Sequence, residues 1–340
     1  MEIMRRNRLG QSGLIVSSLG LGTMTFGSQV DETCARQIMD RAFEGGINFF
    51  DTAEMYSSPS RPETYGKAEE ILGRWVNTKP RDAIIVATKV VGAADWRHGA
   101  PLSHIRGGTF TLDRHHIIRA AEASLKRMGL EWIDLYQTHW PDRLTPIDEQ
   151  LEAMERLIEA GKIRYFGTSN ETPWGLTRMC AHAHSSGVPG PVSVQNAYNL
   201  LQRHFELGLD EACRHEGVGM IAFSPLAMGL LTGKYSGETR PQEARLTQFA
   251  RYGSMYLQTR MIGCADTYVD VARAHDLCPI EMAFAWTASR LGVAAVLTSC
   301  SRLQQLEPYL RSADLELPAE VLLELDRVRA DHDARWNLFG

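Results

Sequence analysis

No cysteine in this chain has a partner at the spacing that metal or redox-dithiol chemistry needs. The six, Cys34, Cys180, Cys213, Cys264, Cys278 and Cys300, are scattered without a C-x-x-C pair. That pattern argues against a zinc ribbon or a thioredoxin-like dithiol and leaves reduced, buried thiols. No apolar run approaches the ~20 residues of a membrane span, and the N-terminal MEIMRRNRLGQSG lacks the apolar core of a signal peptide, so a cytoplasmic protein is expected. An excess of either charge is missing too: 36 basic against 41 acidic residues give a net charge of -5, which suits neither nucleic acid nor an anionic membrane as partner. Low-complexity linkers are absent. The 340 residues, 44% apolar, are therefore read as one domain spanning 1–340, although length alone would equally allow two.

What is present is a sustained alternation of short β-rich runs and helical patterns. A Gly-punctuated opening that forms a small hairpin at about residues 6–18 leads into SSLGLGT, and the runs INFFDTA, AIIVATKV, IDLYQTH, IRYFGTSN, VSVQNAY, GMIAFSPL and VAAVLTSC follow, each after a helical stretch. Runs rich in β-branched and aromatic residues between helices read as buried parallel strands. Glycines at the ends of EGG, RMG, EAGK and HEG mark helix C-termini. Eight such units in a chain of this length fit an α/β (β/α)8 TIM barrel with an N-terminal β-hairpin and C-terminal helices. A doubly wound open sheet is the rival, but GLGTMTFG does not have the G-x-G-x-x-G spacing that usually announces one. The irregular region at about residues 235–260 is a candidate lid. DTYVDVARAHDLCPIEMAFAWTASRLG is expected to be helical throughout.

Four polar residues sit where apolar runs end: Asp51 and Tyr56 after INFF, Lys89 in AIIVATKV and His139 in IDLYQTH. In a barrel, residues leaving adjacent strand ends converge on the C-terminal face. A carboxylate, a phenol, an ammonium and an imidazole there form a proton relay. An ammonium ~4 Å from a phenol at an effective dielectric of ~20 favours the phenolate by up to ~4 kcal/mol. Tyr56 is thus expected to be poised near neutral pH by Lys89, with Asp51 keeping Lys89 charged and His139 bonding a carbonyl oxygen or the phenol. Such a relay delivers a proton to an oxygen becoming an alkoxide, and general-acid help of about 10² to 10⁴ leaves most of the acceleration to a well-placed hydride donor.

The ordered motifs LGLGTMTFG, GINFFDTAEMY, ATKV, LYQTHWPD, GKIRYFGTSN, QNAYNLLQR, FSPLAMGLLTGKY and SRLQQLEPYL resemble the aldo-keto reductase family over nearly the whole chain. RPETYGKAEE, SLKRMGLEWIDLYQTHWP and NAYNLLQRHFELGL look closest to its bacterial Tas-like branch, with the potassium channel β subunits more distant. The resemblance implies Tyr56 as proton donor, Lys89 and Asp51 as its tuners and His139 as the group orienting the substrate carbonyl. It also implies Ser169, Asn170 and Gln195 on the nicotinamide carboxamide and Phe223 stacked on its ring. Ser224, Leu226 and Lys234 would run along the pyrophosphate, while Arg245, Thr23 and Met24 would close over the cofactor and Asp51 would stand beside it. Arg302, helped by Ser301, matches the 2′-phosphate position and Gln305 the adenine contact, so NADPH is the implied cofactor. The chain departs from the family pattern at Ser299, where a Gly is usual, and at Pro308 and Tyr309, where an acidic and amide pair often follows.

Blander readings stand beside these. An Asp and a Lys at strand ends form a structural ion pair in many proteins, Phe223 alone would be core packing, and Arg302 alone a surface arginine. His182 and His184 are two apart on a helix and share no face, while His115 and His116 begin a helix and read as solvated. Three functions follow: an NADPH-dependent reductase of aldehydes or ketones, a cofactor-binding regulatory or redox-sensing subunit with slow turnover, and a metal-dependent barrel hydrolase. The third needs converging His and carboxylate ligands, and only His139 is so placed. The partner expected is a small carbonyl substrate, held by loops around Trp96 to Arg106, Pro141 to Thr145 and the C-terminal DARWNLFG, with Trp96, Trp140 and Trp336 as candidate pocket walls.

Overall fold

Period-two alternation in the short runs decides the architecture. The structure, a computed structural model, describes residues 4–92, 104–108 and 110–337, with the side chains beyond 332 excepted. Two short strands, β1 (Arg6–Arg8) and β2 (Ile15–Ser17), pair antiparallel as the expected hairpin. The remaining strands are β3 (Leu19–Gly22), β4 (Phe49–Asp51), β5 (Ile85–Val90), β6 (Ile133–Thr138), β7 (Ile163–Ser169), β8 (Ser193–Ala197), β9 (Gly219–Phe223) and β10 (Val293–Thr298). They are parallel and close on themselves, β10 pairing with both β9 and β3, so the (β/α)8 barrel forms and the open sheet does not.

Six helices cover the strands in turn: α1 (Glu32–Glu44), α2 (Lys67–Val76), α3 (Arg114–Met128), α4 (Ile147–Glu159), α5 (Pro173–Ser186) and α6 (Leu209–Glu216). Their boundaries are chemical. Asp31, Asp113 and Thr172 accept the backbone N–H of the third residue into α1, α3 and α5, and Gly129 and Gly217 close α3 and α6 in the left-handed conformation. His116 is not simply solvated: its Nδ1 bonds the capping carboxylate of Asp113.

Alternate strand residues face inward. Phe49, Ile85, Ala87, Leu135, Ile221, Ala295 and Leu297 form an inner cluster with Leu9, Leu14 and Val16 of the hairpin, which seals the barrel floor. Gly10, at φ +55°, lets that hairpin approach the floor so closely that a Cβ would stand 2.4 Å from the Val192 carbonyl oxygen. Continuing the inward alternation by two from Phe49, Ala87 and Leu135 reaches Asp51, Lys89 and Gln137, above the apolar layers.

After β9 the chain is more helical than its sequence suggests. The candidate lid contains α7 (Arg245–Gln248) and α8 (Ala250–Tyr256), and α9 (Thr259–Ala274) begins inside it. Leu246, Gly253 and Ile262 bury one side of this segment, which is tertiary information that no local pattern carries. The single helix expected over 266–292 is two, α9 and α10 (Pro279–Ala288). Asp276 takes a left-handed turn and Pro279 starts the new helix. Two helices, α11 (Leu306–Arg311) and α12 (Ala319–Asn337), follow β10.

Candidate active site

Strand geometry brings the relay residues together at the C-terminal mouth. Lys89 is fully buried and donates from Nζ to Asp51 Oδ2 at 2.5 Å and to the Thr52 carbonyl at 2.8 Å. Asp51 Oδ1 accepts the side-chain amides of Gln195 at 2.9 Å and Gln137 at 3.2 Å. Gln195 also donates to Gln137 Oε1 at 3.3 Å, so both amides are organised by one carboxylate.

Tyr56 lies over this layer, its ring centroid 5.3 Å from Lys89 Nζ and edge-on to His139 at 5.7 Å between centroids. Trp140 stacks on the other ring of that pair, 3.9 Å from His139 and within 9° of parallel. The His139 backbone is itself held, its N–H by the Val90 carbonyl and its carbonyl by Asn170 Nδ2 at 2.9 Å.

The electrostatics differ from the sequence expectation. Burial, followed by the Asp51 carboxylate, pushes the Tyr56 phenol well above the usual tyrosine range. Burial also pulls the Lys89 ammonium down, against the opposing pull of Asp51. Lys89 spends its charge on Asp51 and the Thr52 carbonyl, so it does not poise Tyr56 near neutrality. The phenol is therefore a neutral acid.

A cavity of about 1260 Å³ opens over these residues. Its wall contains Met24, Asp51, Tyr56, His139, Ser169, Asn170, Gln195, Phe223, Ser224, Leu226, Lys234, Arg245, Ser301 and Gln305. Three of the expected residues do not form the wall. Lys89 lies behind Asp51, and Thr23 is buried with its hydroxyl donating to the Asp51 carbonyl. Arg302 is exposed and paired with Glu243, which does line the cavity. The departures also separate: Ser299 and Tyr309 line the cavity, Pro308 does not.

Two cations face this space without a counter-charge. Among the described residues no carboxylate lies within ion-pair distance of Lys234 or Arg245. Arg245 instead places Nη1 3.8 Å from Met228 Sδ. Burial lowers both pKa values, and Arg245 lowers that of Lys234 further. Gly229 leaves the room in which Lys234 lies, since a Cβ there would meet its Nζ at 2.9 Å. The backbone around it is strained, with Ser224, Ala227 and Met228 at positive φ. Uncompensated cations beside a strained loop fit a ligand that carries a diphosphate.

Other walls of the cavity come from partly unexpected places. Phe110, Thr111, Trp140, Tyr252 and Met255 line the cavity, whereas none of Pro141 to Thr145 does. Asp142 turns away to accept the Leu112, Leu144 and Thr145 N–H groups. Trp96 and the Trp336 side chain lie outside the described residues. No group of three or more His, Cys, Asp or Glu among the described residues is placed to hold a metal ion. None of the described helices is long and apolar enough to cross a membrane.

The Aldo/keto reductase family profile matches residues 18–330. The chain belongs to this family. Its similarity to known proteins extends nearly end to end: it is 40% identical to Protein tas of Escherichia coli, over 96% of this chain and 97% of that one. It is 34% identical to the uncharacterized oxidoreductase YrpG of Bacillus subtilis, over 94% of each chain. Likeness to a probable voltage-gated potassium channel subunit beta of Arabidopsis thaliana is 32%, over 96% and 95%. The order agrees with the branch that the sequence motifs suggest, and membership supports an oxidoreductase activity.

Gln137 was missed by sequence reasoning, although its signal was available. It stands two residues before His139 and two after the inward Leu135, so it had to enter the barrel beside Asp51. Glu243 gave no such signal, because nothing local relates it to Arg302.

Proposed function

We propose that the protein is an NADPH-dependent reductase that converts an aldehyde or ketone to an alcohol, with the barrel as its single domain and Tyr56 as proton donor. The observation that carries this reading is the neutral Tyr56 phenol at the cavity, edge-on to His139 and above the Asp51–Lys89 pair.

When bound, the nicotinamide supplies the hydride. The protein's share is placement and the proton. His139, its ring plane fixed by Trp140 and its backbone by Asn170 and Val90, orients the carbonyl oxygen toward the Tyr56 hydroxyl. As negative charge builds on that oxygen, the phenol proton transfers to it and leaves a phenolate. The Lys89 ammonium, held by Asp51 and the Thr52 carbonyl, compensates that carboxylate beneath the phenol, so Asp51 opposes the phenolate less than an unpaired carboxylate would. Lys234 and Arg245 suit a diphosphate, and Phe223, half-buried at the end of β9, offers a flat face to the nicotinamide.

A nicotinamide-binding regulatory subunit is the second reading, favoured by the likeness to the channel subunit. Titration with NADPH and NADH by fluorescence quenching, then turnover of a panel of aldehydes, separates the two. NADPH binding with turnover supports the reductase, binding without turnover supports the regulatory subunit, and binding of neither nucleotide refutes both.

A further inference from the structure

Arg302 and Glu243 are 59 positions apart in sequence, yet their side chains form an ion pair beside the cavity that Glu243 lines. Arg302 belongs to the turn after β10. Glu243 belongs to the segment before α7, and its neighbours Ala244 and Leu246 are buried. Leu246 is held further by the Tyr235 hydroxyl, which accepts its N–H at 3.0 Å. The carboxylate is thus carried on anchored backbone rather than on a loose tip. It lines the cavity beside Ser301 and Gln305, and Gln305 Oε1 fixes the turn by accepting the Ser301 N–H at 2.9 Å.

We propose that Glu243 is a specificity-determining residue for the cofactor: its carboxylate occupies Arg302 until a 2′-phosphate displaces it, and it presents an acceptor to a free 2′-hydroxyl. The inference rests on the NADPH reading above, which gives Arg302 to the 2′-phosphate. A ligand that carries this phosphate must break the existing pair to reach the guanidinium. A dinucleotide without it meets an arginine already neutralised and a carboxylate of the kind that recognises ribose hydroxyls. The side chains are 62% and 75% exposed, so solvent weakens the pair and a bidentate phosphate wins the exchange. Glu243 therefore narrows the preference for NADPH over NADH without reversing it, by a factor of about five.

The test uses the full chain and two nucleotides. Dissociation constants for NADPH and NADH are measured by fluorescence quenching for the parent protein, Glu243→Ala, Arg302→Ala and the double variant. Glu243→Ala is expected to tighten NADPH about fivefold and to leave NADH unchanged or weaker. In the Arg302→Ala background the NADPH gain should disappear, because Glu243 acts through that guanidinium. An unchanged NADPH to NADH ratio in Glu243→Ala, or a gain that survives loss of Arg302, overturns the proposal while leaving the reductase reading intact. Failure of the parent protein to bind either nucleotide overturns both.

Discussion

In the proposed reduction Tyr56 is the proton donor, and its setting fixes what substitution should do. Tyr56→Phe removes the proton and keeps the ring, so kcat for carbonyl reduction should fall by about 10² to 10⁴ while the Kd for NADPH stays within about twofold. Parallel loss of both, measured by steady-state kinetics and fluorescence titration, would place the phenol in cofactor binding instead. The pH profile follows from the direction of its shift. A phenol held above its ordinary value of about 10 remains protonated through neutral and mildly alkaline pH, so Tyr56 should contribute no fall in kcat between about pH 6 and 9. A descending limb near pH 7 that vanishes in Tyr56→Phe would contradict this. Lys89→Met leaves Asp51 buried with only amide donors, which should cost about 3–5 kcal/mol in urea unfolding as well as lowering kcat. At this scale the sequence was informative about identity and silent about burial. Asp51, Lys89 and His139 could be picked out because they end runs whose alternation aims them inward, and Tyr56 because it follows the same strand end as Asp51. The sign of the Tyr56 shift could not, because it depends on how deeply the ring is buried and on where Lys89 spends its hydrogen bonds.

Elements meet at a second buried polar layer, outside the barrel wall. Glu54, between Asp51 and Tyr56, accepts Arg106 Nη1 at 2.7 Å through both oxygens and the Val91 N–H at 2.6 Å. Arg106 also donates to the Val91 carbonyl. Glu69 of α2 joins Thr88 of β5 to Arg127 of α3 through its two oxygens. Residues 104–108 are thereby pinned at Arg106, and residues 110–112, which supply Phe110 and Thr111 to the cavity, are pinned at Leu112 by Asp142. Arg106→Met leaves Glu54, a side chain 1% exposed, without its cation, and should destabilise the fold by about 3–5 kcal/mol. Hydrogen exchange should rise across residues 104–112, and Arg106→Lys should recover part of both losses. Unchanged exchange there would show that the pin is not what orders the segment. Helix and strand boundaries were largely readable from caps and glycines. The layer that couples the elements was not, since its partners lie far apart in the chain and share no local pattern.

Over the whole molecule, the closed barrel was legible because eight strand–helix units repeat and no open-sheet fingerprint interrupts them. The helices of the candidate lid were not, because Leu246 and Ile262 become a buried face only once the barrel exists to cover them. The same burial sets how the molecule responds to alkali. Eight of the ten tyrosines, Tyr56, Tyr65, Tyr136, Tyr198, Tyr235, Tyr256, Tyr268 and Tyr309, have pKa values raised, and burial is the largest cause in each. Below pH ~10 these phenols are neutral in both the folded and unfolded chain and stability does not depend on them. Above it the unfolded chain releases protons that the fold retains, so stability falls as pH rises until the folded values are reached. Each phenol so held contributes up to ~1.4 kcal/mol of loss per pH unit. Urea unfolding at about pH 8 and pH 10.5 should therefore show a midpoint that drops steeply, and tyrosinate absorbance should appear in step with unfolding rather than before it. A native protein whose tyrosines ionise together near pH 10 with an unmoved urea midpoint would mean that the phenols reach solvent, and that Tyr56 is not the sequestered acid on which the proposed reduction depends.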